Sequence, residues 1–269
     1  GQCLMVPPNL VDGKIPVVLF NLGGCIMNLI TAILFAISGY FLQHNVMLLV
    51  FSECMVVMGI AYALTNGIPL QVGPIRNDGG NALALGKNPA AMYAFWLQLK
   101  INEQQSQGIR LKDMPESWFM VPADEDMQNG LVAATAVFHE NWLMDQGRLD
   151  EAVDYIEELL NKETAISGLY RSLLICDRIY CELIVRKNIG EAIYLHNKEY
   201  EKFVKQMKNF PTIIRTEYAY ALLAEKDEKK ATECLKRFDK MAKTYPYPND
   251  ILSERELIEL VKEMQEKEE

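Results

Sequence analysis

Between Ile15 and Ser52 the chain has no charged side chain. That run exceeds the roughly 20 helical residues that cross the hydrocarbon core of a bilayer. Charge is scarce well beyond it. Residues 1–80 carry only Asp12, Lys14, Glu53, Arg76 and Asp78, which leaves 25 of the 27 Lys+Arg and 33 of the 36 Asp+Glu for residues 81–269. The net charge of −9 therefore belongs almost wholly to the second part. No basic cluster offsets it, so the phosphate-neutralising footprint of a nucleic-acid binder is missing and no nucleic-acid partner is expected. Paired cysteines are missing too. Cys3, Cys25, Cys54, Cys176, Cys181 and Cys234 form no CxxC pair and no Cys/His cluster, which excludes a disulfide framework and a cysteine zinc site and fits a reduced, cytoplasmic setting. Histidine is limited to His44, His139 and His196. No phosphate-binding glycine loop, nucleophile elbow or paired-carboxylate signature is present, which argues against a small-molecule enzyme in the charged part.

The uncharged run is interrupted once, by Gln43-His44-Asn45. The pattern predicts a hairpin of two transmembrane helices, about 17–42 and 46–65. The competing reading is a pair of buried core helices in a soluble domain. Lys14 precedes the first span, and Arg76, Lys87 and Lys100 follow the second. The turn has no Lys or Arg. The positive-inside rule then places both ends, and the large charged domain, in the cytoplasm of a multi-pass cell-membrane protein. On the first span Asn21, Gly24, Asn28, Thr31 and Ser38 fall on one stripe, the small and polar kind of face that helices use against one another in a membrane. Glu53 lies about two turns into the second span, where an ionisable group is a functional candidate by default.

Asn88-Pro89 predicts the start of a helix over about 89–107, with Asn88 as N-cap and Met92, Phe95, Trp96 and Leu99 on one face. Residues 110–123, with Pro115 and Pro122, read as a connector. From Asp124 onward about seven helices are expected. An internal repeat runs through them. Ala152, Ala192 and Ala231 each follow a polar turn, early in the second helix of a pair, at separations of 40 and 39 residues. A small residue there lets two helices approach. Tyr170, Tyr180, Tyr194, Tyr218 and Tyr220 are expected to fill the core. The predicted fold class is all-α, a transmembrane helical hairpin followed by a tetratricopeptide-like array. Its expected segments are 1–85 for the membrane region, 86–123 for a helix and connector, and 124–269 for the helical repeats. Such arrays offer a surface to a protein partner.

After the hairpin come Asn66-Gly67-Ile68-Pro69 and Asn77-Asp78-Gly79-Gly80. Taken alone, the second is a turn signal, because Asn and Gly tolerate positive φ. Together with Gly24-Cys25-Ile26-Met27-Asn28 they resemble the membrane half of the site-2 protease family of intramembrane zinc metalloproteases. That family carries an HExxH helix, a Gly-Pro-x-x-Asn helix and an Asn-x-x-Pro segment followed by Asp-Gly. Gly24 and Asn28 match the second mark; Asn66, Pro69, Asp78 and Gly79 match the third. Residues 1–85 look like bacterial members that end in a cytoplasmic helical domain, and Arg110 to Pro115 and Thr216 to Leu222 look similar to the same group. The resemblance implies that Asp78 is a zinc ligand and that Asn28, Asn66, Pro69 and Gly79 position the substrate strand. It also implies a substrate that is a transmembrane protein or peptide, cleaved by a zinc-bound water with a Glu as general base. Three departures accompany it. Cys25 stands where the family carries proline, the interval from Pro69 to Asp78 is longer, and HExxH is missing. His139-Glu140-Asn141-Trp142-Leu143 ends in leucine where the second histidine belongs. The chain opens on Gly1, and the expectation is that the HExxH helix and the general base precede it, so that this stretch alone is inactive and contains no catalytic residue. The alternative is a non-catalytic, membrane-anchored scaffold for protein–protein interaction.

Overall fold

A computed structural model describes residues 6–11, 13–72 and 75–268. Gly1, Cys3 and Asp12 lie outside the described residues. The described residues divide into two compact units, one within Pro8–Trp96 and one from Leu97 onward that also takes in Val6 and Pro7. The division falls inside one helix, so the residues read as a helix and connector are shared between the two units.

The first unit is built on the uncharged run. It forms α1 (Val17–Phe41) and α2 (Val46–Gly67), which pack on each other along their length. The turn between them ends where Asn45 accepts a hydrogen bond from the Leu48 backbone N–H, capping α2. Both helices are long and apolar enough to cross a membrane, with mean hydropathy 2.1. Only 17% and 11% of their most apolar windows is buried, far less than a soluble core helix would hide. Their outer faces present Leu19, Ile33, Leu34, Met47, Phe51 and Val57. Two hydroxyls of α2 are satisfied locally, Ser52 by the Leu48 carbonyl and Thr65 by Ala61. The contact stripe of α1 is centred on Cys25, Ala32 and Gly39, which are buried. Asn21, Asn28, Thr31 and Ser38 flank it half-buried, and Gly24 is exposed. Seven-residue spacing of small side chains therefore sets this seam, one step round the helix from the predicted stripe. At the crossing a Cβ on Gly59 would stand 2.9 Å from the Asn28 carbonyl oxygen.

Beyond α2 a short antiparallel pair, β1 (Gln71–Val72) and β2 (Ile75–Arg76), leads into α3 (Asp78–Leu85) and α4 (Pro89–Ser106). Asn88 caps α4 through its side chain, accepting from the Ala91 N–H. On α4 Met92 and Trp96 are buried and Phe95 and Leu99 half-buried, but Ala94, Leu97 and Ile101, off the predicted face, are buried more fully, so burial is not confined to that face.

In the second unit the end of α4 is followed by three short 3-10 turns within 111–128. Eight helices follow: α5 (Gly130–Asp145), α6 (Leu149–Asn161), α7 (Gly168–Ile184), α8 (Ile189–Leu195), α9 (Lys198–Gln206), α10 (Pro211–Leu223), α11 (Glu228–Ala242) and α12 (Pro248–Glu268). The count exceeds the expected seven because Asn197 ends one helix and caps the next, accepting from the Glu199 and Tyr200 N–H groups. Neighbours in the chain pack in antiparallel succession, α5 on α6, α6 on α7, α7 on α8 and α10 on α11, while α7 also meets α10. This is the arrangement of a helical-hairpin array. The three repeat alanines open α6, α8 and α11, and Ala152, Ala192 and Ala231 are all buried. Each is preceded, five residues earlier, by a backbone in the left-handed region: Gly147 at φ 72°, Lys187 at 51° and Lys226 at 57°. Thus the repeat is one of turn geometry as well as of side-chain size. Of the tyrosines, Tyr180, Tyr218 and Tyr220 are buried and Tyr170 half-buried, but Tyr194 is 74% exposed; it lies on the outward side of the short α8.

The last helix gathers elements far apart in sequence. Glu256 on α12 pairs with Arg110 at 2.6 Å, and Arg110 also holds Asp145 at the end of α5. The Tyr180 hydroxyl donates to the Leu257 carbonyl across 77 positions.

Candidate functional site

The segment 65–80 is organised by one side chain. Asn77 Oδ1 accepts from the Leu70 N–H and from the Gly80 N–H, while its Nδ2 donates to the carbonyls of Thr65 at 2.8 Å and Ile68 at 2.6 Å. All four hydrogen-bonding positions of the amide are thereby used. Asn77 closes the Asn66–Pro69 segment onto the start of α3 and caps that helix. The turn expected from Asn-Asp-Gly-Gly is in fact this cap. Asn77 has φ −78°, and α3 runs straight on through Gly79 and Gly80.

Gly79 is required here by proximity and not by φ. A Cβ on it would lie 2.1 Å from the Gly67 carbonyl oxygen and 2.7 Å from its carbon, distances that no side chain tolerates. Gly67 in turn rests against Cys25, whose Sγ would be 3.5 Å from a Cβ at that glycine. Cys25 therefore falls at the junction of α1 with the end of α2. Asp78 is the first residue of α3, half-buried, on a helix that packs against α1 and α2. A carboxylate at a helix start is favoured by the unpaired N–H groups there.

The structure thus brings Cys25, Gly67, Asn77, Asp78 and Gly79 together. Asn66 and Pro69 lie on the same closed segment with exposed side chains. Asn28 sits lower on α1, with its carbonyl at the crossing with Gly59. The sequence reading passed over Asn77 and Gly67. An Asn directly before an acidic first helical residue is an N-cap signal that could have pointed to the former; the latter reveals itself only through its contact.

Within Pro8–Trp96 the one histidine is His44. His44 lies in the turn after α1. His139 Nδ1 is 2.5 Å from the Phe119 carbonyl, and its ring meets Tyr155 edge-on at 4.7 Å. His196 stacks on Tyr220 and pairs with Glu217 at 2.9 Å. Both belong to the packing of the array. Among the described residues no group of three His, Cys, Asp or Glu side chains is close enough to hold a metal ion. The donors around Asp78 therefore do not by themselves fit the four-coordinate zinc centre that the resemblance implies. Glu53 is exposed on α2 and turned away from α1. No protein-family model matches the chain, and no curated protein or solved structure shows significant similarity to it.

Proposed function

We propose that this chain is the part of a site-2-type intramembrane metalloprotease that supplies one carboxylate ligand, Asp78, and the substrate-positioning segment Asn66–Pro69. The observation that carries the reading is the Asn77 knot. A loop that follows a membrane hairpin has all four hydrogen-bonding positions of one amide committed to fixing the residue beside it, the investment expected where a ligand must be held in place. The outer face of α2 adds support. Glu53 is exposed on it, away from the α1–α2 seam, and an ionisable residue within a span faces other protein by preference. On this reading further helices, bearing two histidines and a general base, cover that face. The hairpin spans the membrane with both ends in the cytoplasm, and zinc is held only by the assembled set.

The first test is the coding sequence ahead of Gly1: a hydrophobic helix with HExxH is expected, and its absence overturns the proposal. In the protein with that helix, Asp78→Ala should reduce cleavage of a transmembrane reporter by at least about 100-fold. Cleavage at the unaltered rate would remove Asp78 from the site.

A further inference from the structure

Four helices of the array, α5, α7, α10 and α12, turn charged side chains toward one another. Arg215 on α10 is 1% exposed. It donates from Nη2 to Asp177 on α7, pairs through Nε with Glu254 on α12 at 3.0 Å, and lies 4.2 Å over the Tyr180 ring. Beside it is a cavity of about 210 Å³ lined by five carboxylates and two guanidiniums together with apolar side chains such as Val137, Leu173 and Phe210. The guanidiniums are already engaged, Arg215 by Asp177 and Glu254, Arg110 by Asp145 and Glu256. Asp250 accepts from Gln105. Glu140 is the carboxylate left over. It is 1% exposed, lines the cavity, and its Oε1 has no hydrogen-bond partner among the described residues. Arg215 Nη1 is likewise without a partner.

A buried acceptor with no donor is unfavourable, and more so if it is charged. Burial, reinforced by Asp177, holds the Glu140 carboxyl well above the usual carboxylate range. The excess of carboxylates repels an anion and attracts a cation. The volume is below the roughly 300–1,000 Å³ of pockets for drug-sized ligands, which suits one side chain. We infer that this cavity binds a primary alkylammonium group, whose N–H donates to Glu140 Oε1 and whose alkyl stem lies on the apolar wall. Two sources share that chemistry: a free alkylamine, and a lysine presented by a peptide, whose backbone carbonyl would also accept from Arg215 Nη1. The inference is independent of the protease reading.

Calorimetric titration of the full chain in detergent micelles tests it with n-butylamine, N-acetyl-lysine methylamide and the norleucine analogue. One equivalent of a cationic probe should bind, and the uncharged norleucine compound, which lacks the ammonium, should not. Glu140→Gln should weaken binding by about tenfold or more, roughly 1.4 kcal/mol. Equal affinity for the two amines assigns the site to a free amine. A clear preference for the lysine amide, lost in Arg215→Lys, assigns it to a peptide. The inference is overturned if neither amine binds at about 10 mM, if norleucine binds as well as lysine, or if Glu140→Gln binds undiminished. The lysine–norleucine contrast on the unaltered chain decides even where a variant does not fold.

Discussion

The two units solve opposite problems with opposite materials. Within Pro8–Trp96 the helices meet through small residues and backbone: Cys25, Ala32 and Gly39 on α1, Gly59 against the Asn28 carbonyl, Gly79 against Gly67. Side-chain ion pairs play no part in that seam. Within Leu97–Glu269 the interior is charged, with Glu140, Asp177, Glu182 and Arg215 all buried. Glu182, 1% exposed, lies between Arg186 at 3.0 Å and Arg178 at 3.6 Å, which reach on to Glu157 on α6 and Glu191 on α8. Helices apolar enough to cross a membrane carry little charge, and closeness of backbones replaces it at their seam. The charged array places charges inside, where their cost is offset by partners. The difference teaches where each unit is fragile: the first to an atom added at its backbone contacts, the second to the loss of a charge on which buried partners depend.

That contrast can be broken most severely at Arg215. Arg215→Met would strand Asp177 and Glu254 beside Glu140, and a loss of about 3–5 kcal/mol is expected. Denaturant unfolding followed by tryptophan fluorescence in the array should record it, while the helicity of the hairpin in micelles stays. The converse is Gly79→Ala. Its Cβ would have to displace the Gly67 carbonyl, at a cost of about 1–3 kcal/mol. It should raise protease sensitivity between residues 66 and 80 and leave the array's unfolding midpoint in place. An equal effect of either variant on both units would dissolve the comparison.

Acid titration gives a finer test. Asp250 is pushed up to about 6, chiefly by burial, with Asp145 adding repulsion and the Gln105 hydrogen bond opposing. A carboxyl whose folded-state pKa is raised favours folding fully below its unfolded value of about 3.9, and that contribution is lost as pH rises through about 6. Asp250→Asn should therefore remove a fall in stability between about pH 4 and pH 6, and stabilise the array at neutral pH by roughly 1–2 kcal/mol. No change in the pH profile would mean that water reaches this carboxyl freely. The smallest expected effect lies in the repeat turns. Lys187→Gly and Lys226→Gly relieve a left-handed backbone, for a gain of about 0.5–1 kcal/mol each, whereas Gly147→Ala should cost about as much. Thermal melts of the three variants would show whether the three turns are energetically as well as geometrically equivalent.

Much of this architecture was legible beforehand because the signals were local. The absence of charge marked α1 and α2, Asn88-Pro89 marked the start of α4, and three alanines marked the repeat. What escaped depended on partners distant in sequence. Nothing in Thr212–Tyr218 signals that Arg215 is buried, since its partners stand 38 positions before it and 39 after it. The same limit applied near Asp78. The carboxylate was singled out by resemblance, but Asn77, which holds it, forms bonds reaching back 12 residues to Thr65. Gly24 was expected on the packing stripe and proved to be exposed, because the seam follows a heptad through Cys25 that is displaced by one residue from the polar pattern.

The ties made by α12 carry a further consequence. Repeat arrays are in general one-dimensional: each unit touches its neighbours, and unfolding frays inward from either end. Here the last helix is pinned to the connector before the first repeat, through Arg110 and Glu256, and to the middle through Tyr180 and Leu257. Beginning and end share one set of bonds, so neither is a free end from which to unzip. The array should accordingly melt in a single all-or-none transition, with amide protons in α5 and α12 exchanging at the same global rate as those in α7.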